Sequence, residues 1–353
     1  MNNSKEIYIW CCDFNNYRGE GILARSFVEY LSKYKKKIII KTFEKKYQFS
    51  NNKYKLLIKK NTSDKINLNF FEKYSYPIIG ILWLWKKYFE RKEIIYLNFN
   101  PLWNILVFMF SPPTTSFGPI TGSLYYSEVK NISQFLRKYF FPILFKIGLF
   151  FLFIRKDKLL FSTSLLKKII PKNKIKNCIF DFQINYYNKL NLERFKKKKD
   201  IDLIFYNRNH STKKEKTIFN FIYEISQKHN VVVVGDYLNI KNVKNLNLIS
   251  KKKINKIIAK SKYTFATPEN IFSMFTLECL SLNTKIFYDK KQKDIHKYFL
   301  TKNLIPLNFN NYNKSLKIIK KIMKNNFKSQ FARLNNKFWI KKIREFDDYF
   351  QHY

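Results

Sequence analysis

The sequence predicts an α/β protein made of two doubly wound domains in tandem. Three observations carry that prediction. Short apolar or β-branched runs alternate with stretches whose apolar residues recur at helical spacing. The alternation breaks once, at residues 186–200, and then resumes as a second βα series. The glycines, only seven in 353 residues where average usage gives about 25, concentrate at the ends of predicted strands. A chain of this length has room for two separate cores.

Taken in order, the first strand is predicted over residues 6–12, a near-continuous apolar run of the kind buried on both faces of a parallel sheet. Residues 13–17 form a polar turn. Arg18-Gly19-Glu20-Gly21 then leads into a helix on which Leu23, Phe27, Tyr30, Leu31 and Tyr34 recur at helical spacing. A helix opened by glycines presents free N–H groups to an anion or a sugar hydroxyl, although strand-to-helix turns also favour glycine for structural reasons alone. A strand over 37–43 completes a β-α-β unit. Further strands are predicted at 94–99, 114–117, 159–162 and 177–182, with a short helix over 165–170 stopped by Pro171. Residues 94–127 carry no charge and contain Ser116-Phe117-Gly118-Pro119-Ile120-Thr121-Gly122. This segment reads as a cleft-lining loop in which Gly118 and Gly122 let the backbone approach a ligand; a tight buried turn is the other reading.

Residues 186–200, ending in Lys196-Lys197-Lys198-Lys199-Asp200, form the interdomain linker between a first domain (1–185) and a second (201–325). The second domain predicts a strand at 201–206, a polar loop, an amphipathic helix at 215–227, and a strand at 231–234 ending at Gly235-Asp236. A helix at 252–260, a strand at 263–266, a loop holding Pro268-Glu269-Asn270, a helix at 273–282 and a strand at 285–288 follow. Residues 326–353 end in an amphipathic helix marked by Trp339, Ile340, Ile343, Phe346 and Phe350. Two such domains with a cleft between them suit a two-substrate enzyme whose ligands sit at strand C-terminal ends.

Composition narrows the function classes. With 46% hydrophobic and 18% aromatic residues and few breakers, the chain is not disordered. Its 68 basic and 25 acidic residues give a net charge of +43, which directs attention to polyanions and anionic lipid. Only nine of the basic residues are Arg, so much of this charge is a lysine background. The four cysteines, Cys11, Cys12, Cys178 and Cys279, lack metal-site spacing and fit a reducing compartment. The apolar run at 7–12 is too short for an export signal. The expected location is therefore cytoplasmic.

Two constellations carry chemistry. Arg208 lies between a predicted strand and a helix, with Lys213 five residues on, so a planar fork and a point charge could meet one diphosphate. Lys214 could take the same part. The second is Pro268-Glu269-Asn270-Ile271-Phe272-Ser273 followed by Leu277-Glu278-Cys279-Leu280. Carboxylates such as Glu269 and Glu278 accept paired hydrogen bonds from vicinal diols, and the helix start between them offers N–H donors to phosphate. The alternatives are favourable helix-dipole placement for Glu269 and an exposed helix face for Glu278.

These features resemble GT-B glycosyltransferases, in particular retaining, nucleotide-sugar-dependent enzymes of glycosyltransferase family 4. The resemblance covers most of the chain and rests on Gly19/Gly21 with Ala24-Arg25, Ser162-Thr163-Ser164, the Ile179-Phe180-Asp181 strand, Val231 to Asp236, Arg208 with Lys213, and Glu269 with Glu278. It departs from the family in placing the two glutamates nine apart and in replacing the glycine-rich stretch between them by Asn270-Ile271-Phe272-Ser273. It implies two Rossmann-like domains facing across a cleft, the first for the acceptor and the second for the donor, with the final helix returning to the first domain. Arg208 and Lys213 would neutralise the donor diphosphate, Glu269 would engage the transferred sugar and Glu278 the ribose hydroxyls. Asn270, Phe272, Ser273, Gly19 and Gly21 would line the donor and Glu20, Gly118 and Gly122 the acceptor. The implied reaction is hexosyl transfer by front-face displacement, without metal or cofactor, the leaving diphosphate deprotonating the acceptor hydroxyl. An inverting enzyme would instead need a carboxylate base, for which Glu20 and Asp13 are the candidates.

The acceptor side reads as membrane-facing. Tyr76 to Lys87 mixes aromatics with cations, and the apolar stretch 139–154 is flanked by Arg137-Lys138 and Arg155-Lys156. As a helix of about 1.5 Å per residue it falls short of a roughly 30 Å hydrocarbon core, which favours lying in the interface over spanning; a buried core helix is the other reading. A lipid-linked, lipopolysaccharide or capsule-type acceptor at the cytoplasmic face of the inner membrane is the expectation. The competing classes are a non-catalytic basic membrane-surface protein and a nucleic-acid-binding protein. The latter has charge and aromatics in its favour but no recognisable binding motif.

Overall fold

The structure of the chain is a computed structural model, which describes residues 6–15, 19–35, 37–43, 45–50, 53–59, 70–97, 100–122, 132–156, 158–189, 198–208, 216–267, 270–292, 298–328 and 332–351. It divides into two compact units: Met1–Leu124, Phe135–Gln183 and Arg344–Tyr353 form one, Tyr125–Gln134 and Ile184–Ile343 the other.

The first unit begins with β1 (Ile7–Trp10), α1 (Gly19–Leu31) and β2 (Ile38–Lys41). β1 and β2 are parallel, with Ile7 beside Ile38, as a β-α-β unit requires. β3 (Lys45–Ser50) and β4 (Lys53–Lys59) extend the sheet antiparallel. Then come α2 (Phe70–Phe89), β5 (Glu93–Tyr96), β6 (Asn100–Pro101), α3 (Ile105–Phe110), β7 (Ser116–Phe117), β8 (Ile120–Thr121), α4 (Ile132–Tyr139, which belongs to this unit from Phe135 on), α5 (Phe141–Arg155), β9 (Leu159–Leu160) and β10 (Cys178–Ile179). The main sheet has the order β4-β3-β2-β1-β5-β7.

Residue alternation explains its two layers. Ile7 and Ile9 of β1, with Ile95 and Leu97, join the core formed with Phe27 and Leu31 of α1. Trp10, Ile94 and Tyr96 point the other way, into a core shared with Leu84 of α2, Val107 of α3 and Leu149 of α5. α2 lies so close to β1 that a Cβ at Gly80 would fall 2.2 Å from Nε1 of Trp10. Besides β5 and β7, which fall at the strands predicted over 94–99 and 114–117, the uncharged segment holds β6, α3 and β8, which residue patterning did not mark. Being apolar rather than polar, it is stable only as hydrogen-bonded elements packed into that core.

The second unit holds β11 (Ile201–Asn207), α6 (Lys216–Ser226), β12 (Val231–Gly235), β13 (Val243–Asn245), α7 (Lys251–Lys260), β14 (Ser261–Phe265), α8 (Met274–Ser281), β15 (Lys285–Asp289), β16 (Phe299–Leu300), β17 (Leu304–Leu307), α9 (Tyr312–Lys324), β18 (Arg333–Leu334) and the start of α10 (Asn336–Gln351). Its main sheet is parallel throughout, in the order β13-β12-β11-β14-β15-β17. Tyr187, in the expected linker, is buried in this unit's core and donates to the carbonyl of Ala332 at 2.8 Å. Lys199 binds the ends of two helices, donating to the carbonyls of Ser261 and Leu282, each at 2.8 Å.

α10 contributes to both cores. Trp339 belongs to the second unit's core, while Phe346 and Phe350, both fully buried, belong to that of the first. There the Phe350 ring lies 4.9 Å from those of Phe27 and Tyr30, and the Tyr30 hydroxyl donates to Asp347 at 2.6 Å.

Candidate active site

The strand order of the second unit defines the site. From β11 the chain winds outward through β12 and β13, whereas β14, β15 and β17 build on the other side. The two central strands, β11 and β14, therefore send their following loops apart, and their C-terminal ends border the crevice in which sheets of this topology bind ligands.

Arg208 is the first residue beyond β11 and is exposed. Its position is set by Asn207, whose buried side chain donates to the carbonyls of Asp236 and Tyr237, both at 3.1 Å, while the Asp236 N–H donates to the Asn207 carbonyl at 3.0 Å. Gly235 permits this clamp. Its φ is +101° and a Cβ there would lie 2.3 Å from the Asn207 oxygen, so only glycine fits without strain.

Ahead of α8, residues 270–273 are held by their own side chains. The Asn270 side-chain oxygen accepts from the Phe272 N–H at 3.0 Å, and the Ser273 hydroxyl oxygen caps the helix by accepting from the Thr276 N–H at 3.2 Å. Phe272 anchors the turn against Tyr298 and Phe299. Glu278, one turn into α8, is only 3% exposed. Its Oε1 accepts from the Tyr186 hydroxyl at 2.9 Å and forms an ion pair with Lys251. The exposed-face alternative for Glu278 is therefore excluded.

Glu269, Lys213 and Lys214 lie outside the described residues. In the first unit, β1 leads to β2 on one side and β5 to β7 on the other, which makes a second divergence point. α1 starts beyond the C-terminal end of β1, with Gly19 exposed, Glu20 partly buried and Gly21 buried in its first turn rather than in a preceding loop. Arg25 ties α1 to the intervening turn by donating to the Phe14 carbonyl at 2.6 Å. Gly118 follows β7, and a Cβ there would fall 2.2 Å from Cδ1 of Leu97; at Gly122 the neighbour is Leu166 at 3.0 Å. Gly122 also has a φ of +145°, a conformation that favours glycine.

Three contributors carried no local sequence signal. Tyr186 and Lys251 meet Glu278 from 92 and 27 residues away along the chain, and the clamp by Asn207 becomes visible only when β11 and β12 pair. Among the described residues no group of three or more His, Cys, Asp or Glu side chains could hold a metal ion.

No protein-family model matches the chain, and no curated protein matches it significantly. Solved structures do. Sucrose-phosphate synthase from Thermosynechococcus elongatus aligns with a TM-score of 0.57 at 12% identity, over 91% of this chain and 90% of its own. A structure of S. aureus MnaA with UDP aligns with a TM-score of 0.50 at 12% identity, over 91% and 88%. UDP-GlcNAc 2-epimerase from Methanocaldococcus jannaschii aligns at 0.47 and 12%, over 93% and 95%. At such identities the likeness is one of fold. With its two main sheets and their strand orders, this is a GT-B-type α/β protein of two Rossmann-like domains.

Proposed function

We propose that the protein is a retaining glycosyltransferase that moves a hexose from a nucleotide-diphosphate donor to a hydroxyl of a saccharide acceptor, lipid-linked or of lipopolysaccharide or capsule type, at the cytoplasmic face of the inner membrane. The observation that carries this reading is Arg208, an exposed guanidinium at the C-terminal end of the central strand of a parallel sheet in 3-2-1-4-5-6 order. A diphosphate at that crevice meets the planar fork of Arg208, with Lys213 from the same β11–α6 connection and the capped start of α8 as further donors. At an effective dielectric near 20, a cation about 4 Å from a phosphate contributes on the order of 4 kcal/mol.

The stabilised charge is that of the leaving diphosphate, so Arg208 and Lys213 act when the glycosidic bond lengthens. The same diphosphate takes the acceptor proton on the face it leaves, and the anomeric configuration is retained. Glu269 engages the transferred sugar. Glu278 holds the ribose hydroxyls, exchanging its internal bonds for those of the ligand. Gly19, Gly21, Asn270, Phe272 and Ser273 shape the donor side and Glu20, Gly118 and Gly122 the acceptor side. The reaction needs no cofactor and no metal.

The test is incubation with a panel of nucleotide sugars and saccharide acceptors, followed by NMR of the product anomeric centre. Acceptor-dependent release of nucleoside diphosphate with a product of the donor's anomeric configuration is expected. Inverted product moves the base role to Glu20 or Asp13, and an epimerised sugar without transfer contradicts the transferase reading.

A further inference from the structure

One surface of the first unit is unlike the rest. On α5, Ile143, Ile147, Phe150 and Ile154 follow one another at spacings of four, three and four residues, and all four are exposed, Phe150 by 62%. On α2, Ile78, Leu82 and Phe89 form a similar exposed stripe, with Leu82 at 64%, and on α3 Leu106 and Phe110 are exposed as well. Each helix also has an inward face, through Leu84, Val107 and Leu149, in the core beneath. The outward stripes are surplus to folding. They are also neighbours: α3 packs against both α2 and α5, and the Trp85 indole N–H on α2 donates to the Phe110 carbonyl on α3 at 2.8 Å. A joined apolar surface of this kind marks an interaction site.

Charge identifies the occupant. α3, α4 and α5 contain no Asp or Glu, whereas Lys138 and Lys146 are exposed among the apolar residues. Just beyond α2, Glu90 is already paired with Lys87. An open cleft of about 600 Å³ adjoins the surface through Phe89 and is also lined by Arg91, Lys92, Ser116 and Lys156. Glu93, which lines it too, is bound by Lys35 at 3.1 Å. A second copy of the same face would bring cations against cations. A bilayer with anionic headgroups satisfies both features, taking apolar side chains below the headgroups and cations at their level.

We propose that the joined outer faces of α2, α3 and α5 dock on an anionic lipid bilayer, with a lipid phosphate held in the cleft by Arg91 and Lys92. α5, at 15 residues, is about 22 Å long, too short for a core of roughly 30 Å, so it lies in the plane of the interface. No described helix is long and apolar enough to cross a membrane. The proposal takes up the membrane location suggested above but needs none of the sugar chemistry, and the two readings fail separately.

The experiment is co-sedimentation of the full chain with vesicles of phosphatidylcholine alone and of phosphatidylcholine containing phosphatidylglycerol. Wild type is expected to bind the anionic vesicles at least about tenfold more strongly. Leu82→Asp with Phe150→Asp should cut that binding roughly tenfold or more. Because both side chains are exposed, the circular dichroism spectrum should not change. Arg91→Glu with Lys92→Glu, which leaves the apolar stripes intact, should lower binding to anionic vesicles by roughly tenfold and leave the weak binding to neutral vesicles as it was. Equal binding of wild type to both vesicle types, or wild-type binding by either double variant, overturns the proposal. So does a wild-type dimer that the aspartate pair dissociates, since the face would then be a protein interface. Nucleotide-sugar binding, measured on the same variants without vesicles, should be unchanged and reports on the donor site alone.

Discussion

Glu278 offers the sharpest single perturbation, because its stability role and its ligand role separate in measurement. Glu278→Ala removes the acceptor of the Tyr186 hydroxyl and the partner of the Lys251 ammonium. Removing one partner of a fully buried ion pair costs about 3–5 kcal/mol. The Lys251 side chain, however, is 38% exposed and can turn to water, so the Coulomb loss is discounted. What remains is an unsatisfied tyrosine hydroxyl, worth about 1–3 kcal/mol, and the packing lost around a 3%-exposed side chain. A destabilisation of about 2–3 kcal/mol is expected, or a fall in Tm of roughly 5–10 °C for a unit of this size. Glu278→Gln keeps an acceptor for Tyr186 and should lose about 1 kcal/mol. Urea unfolding of the three proteins reads these values, and titration with a nucleoside diphosphate on folded Glu278→Gln reads the ribose role. A loss below about 0.5 kcal/mol for Glu278→Ala would refute the buried pair. Unchanged nucleotide affinity in Glu278→Gln, with the stability loss present, would leave Glu278 a structural residue only.

Phe346→Ala removes a fully buried ring 5.3 Å from Phe182. It should cost about 3–5 kcal/mol, measured by urea unfolding; a loss under about 1 kcal/mol would contradict the packing of α10 into the first core. Lys199 should give a pH signature: burial draws its ammonium down from 10.5 to about 8. Between those values the native protein has released a proton that the unfolded chain still holds, so stability rises with pH across the window, by about 3 kcal/mol at most. Lys199→Met should flatten that part of the pH dependence of the urea midpoint, and equal slopes in the two proteins would contradict the burial of this ammonium.

Much of the second unit was legible because its central strands are largely buried. Val231 to Val234 and residues 201–206 are runs that only a sheet covered on both faces can hide, and β11, β12, β14 and β15 stand close to where residue patterning puts them. The hairpin of β3 and β4 left no such trace. It lies at the sheet edge, and Lys45, Lys46, Lys53, Lys55 and Lys59 leave it no apolar run longer than Leu56-Leu57-Ile58. α3 was hidden in an uncharged stretch where neither a cap nor a charged face marks a helix. Of the candidate site residues, Arg208 could be singled out because a scarce residue type stood at a strand end, and Glu278 because a carboxylate stood among Leu277, Cys279 and Leu280 on a predicted helix. The partners Tyr186, Lys251 and Asn207 depend on tertiary contacts with no local pattern.

The central claim is that the crevice at the ends of β11 and β14 binds the diphosphate of a nucleotide sugar through Arg208. Turnover of wild type and Arg208→Ala on the nucleotide sugar that wild type uses tests it most directly. Loss of one electrostatic donor to the developing charge predicts a drop of roughly 10²-fold, about 3 kcal/mol, with folding unchanged because Arg208 is exposed. Near wild-type turnover in Arg208→Ala, or a wild-type protein that binds no nucleotide sugar, would contradict it.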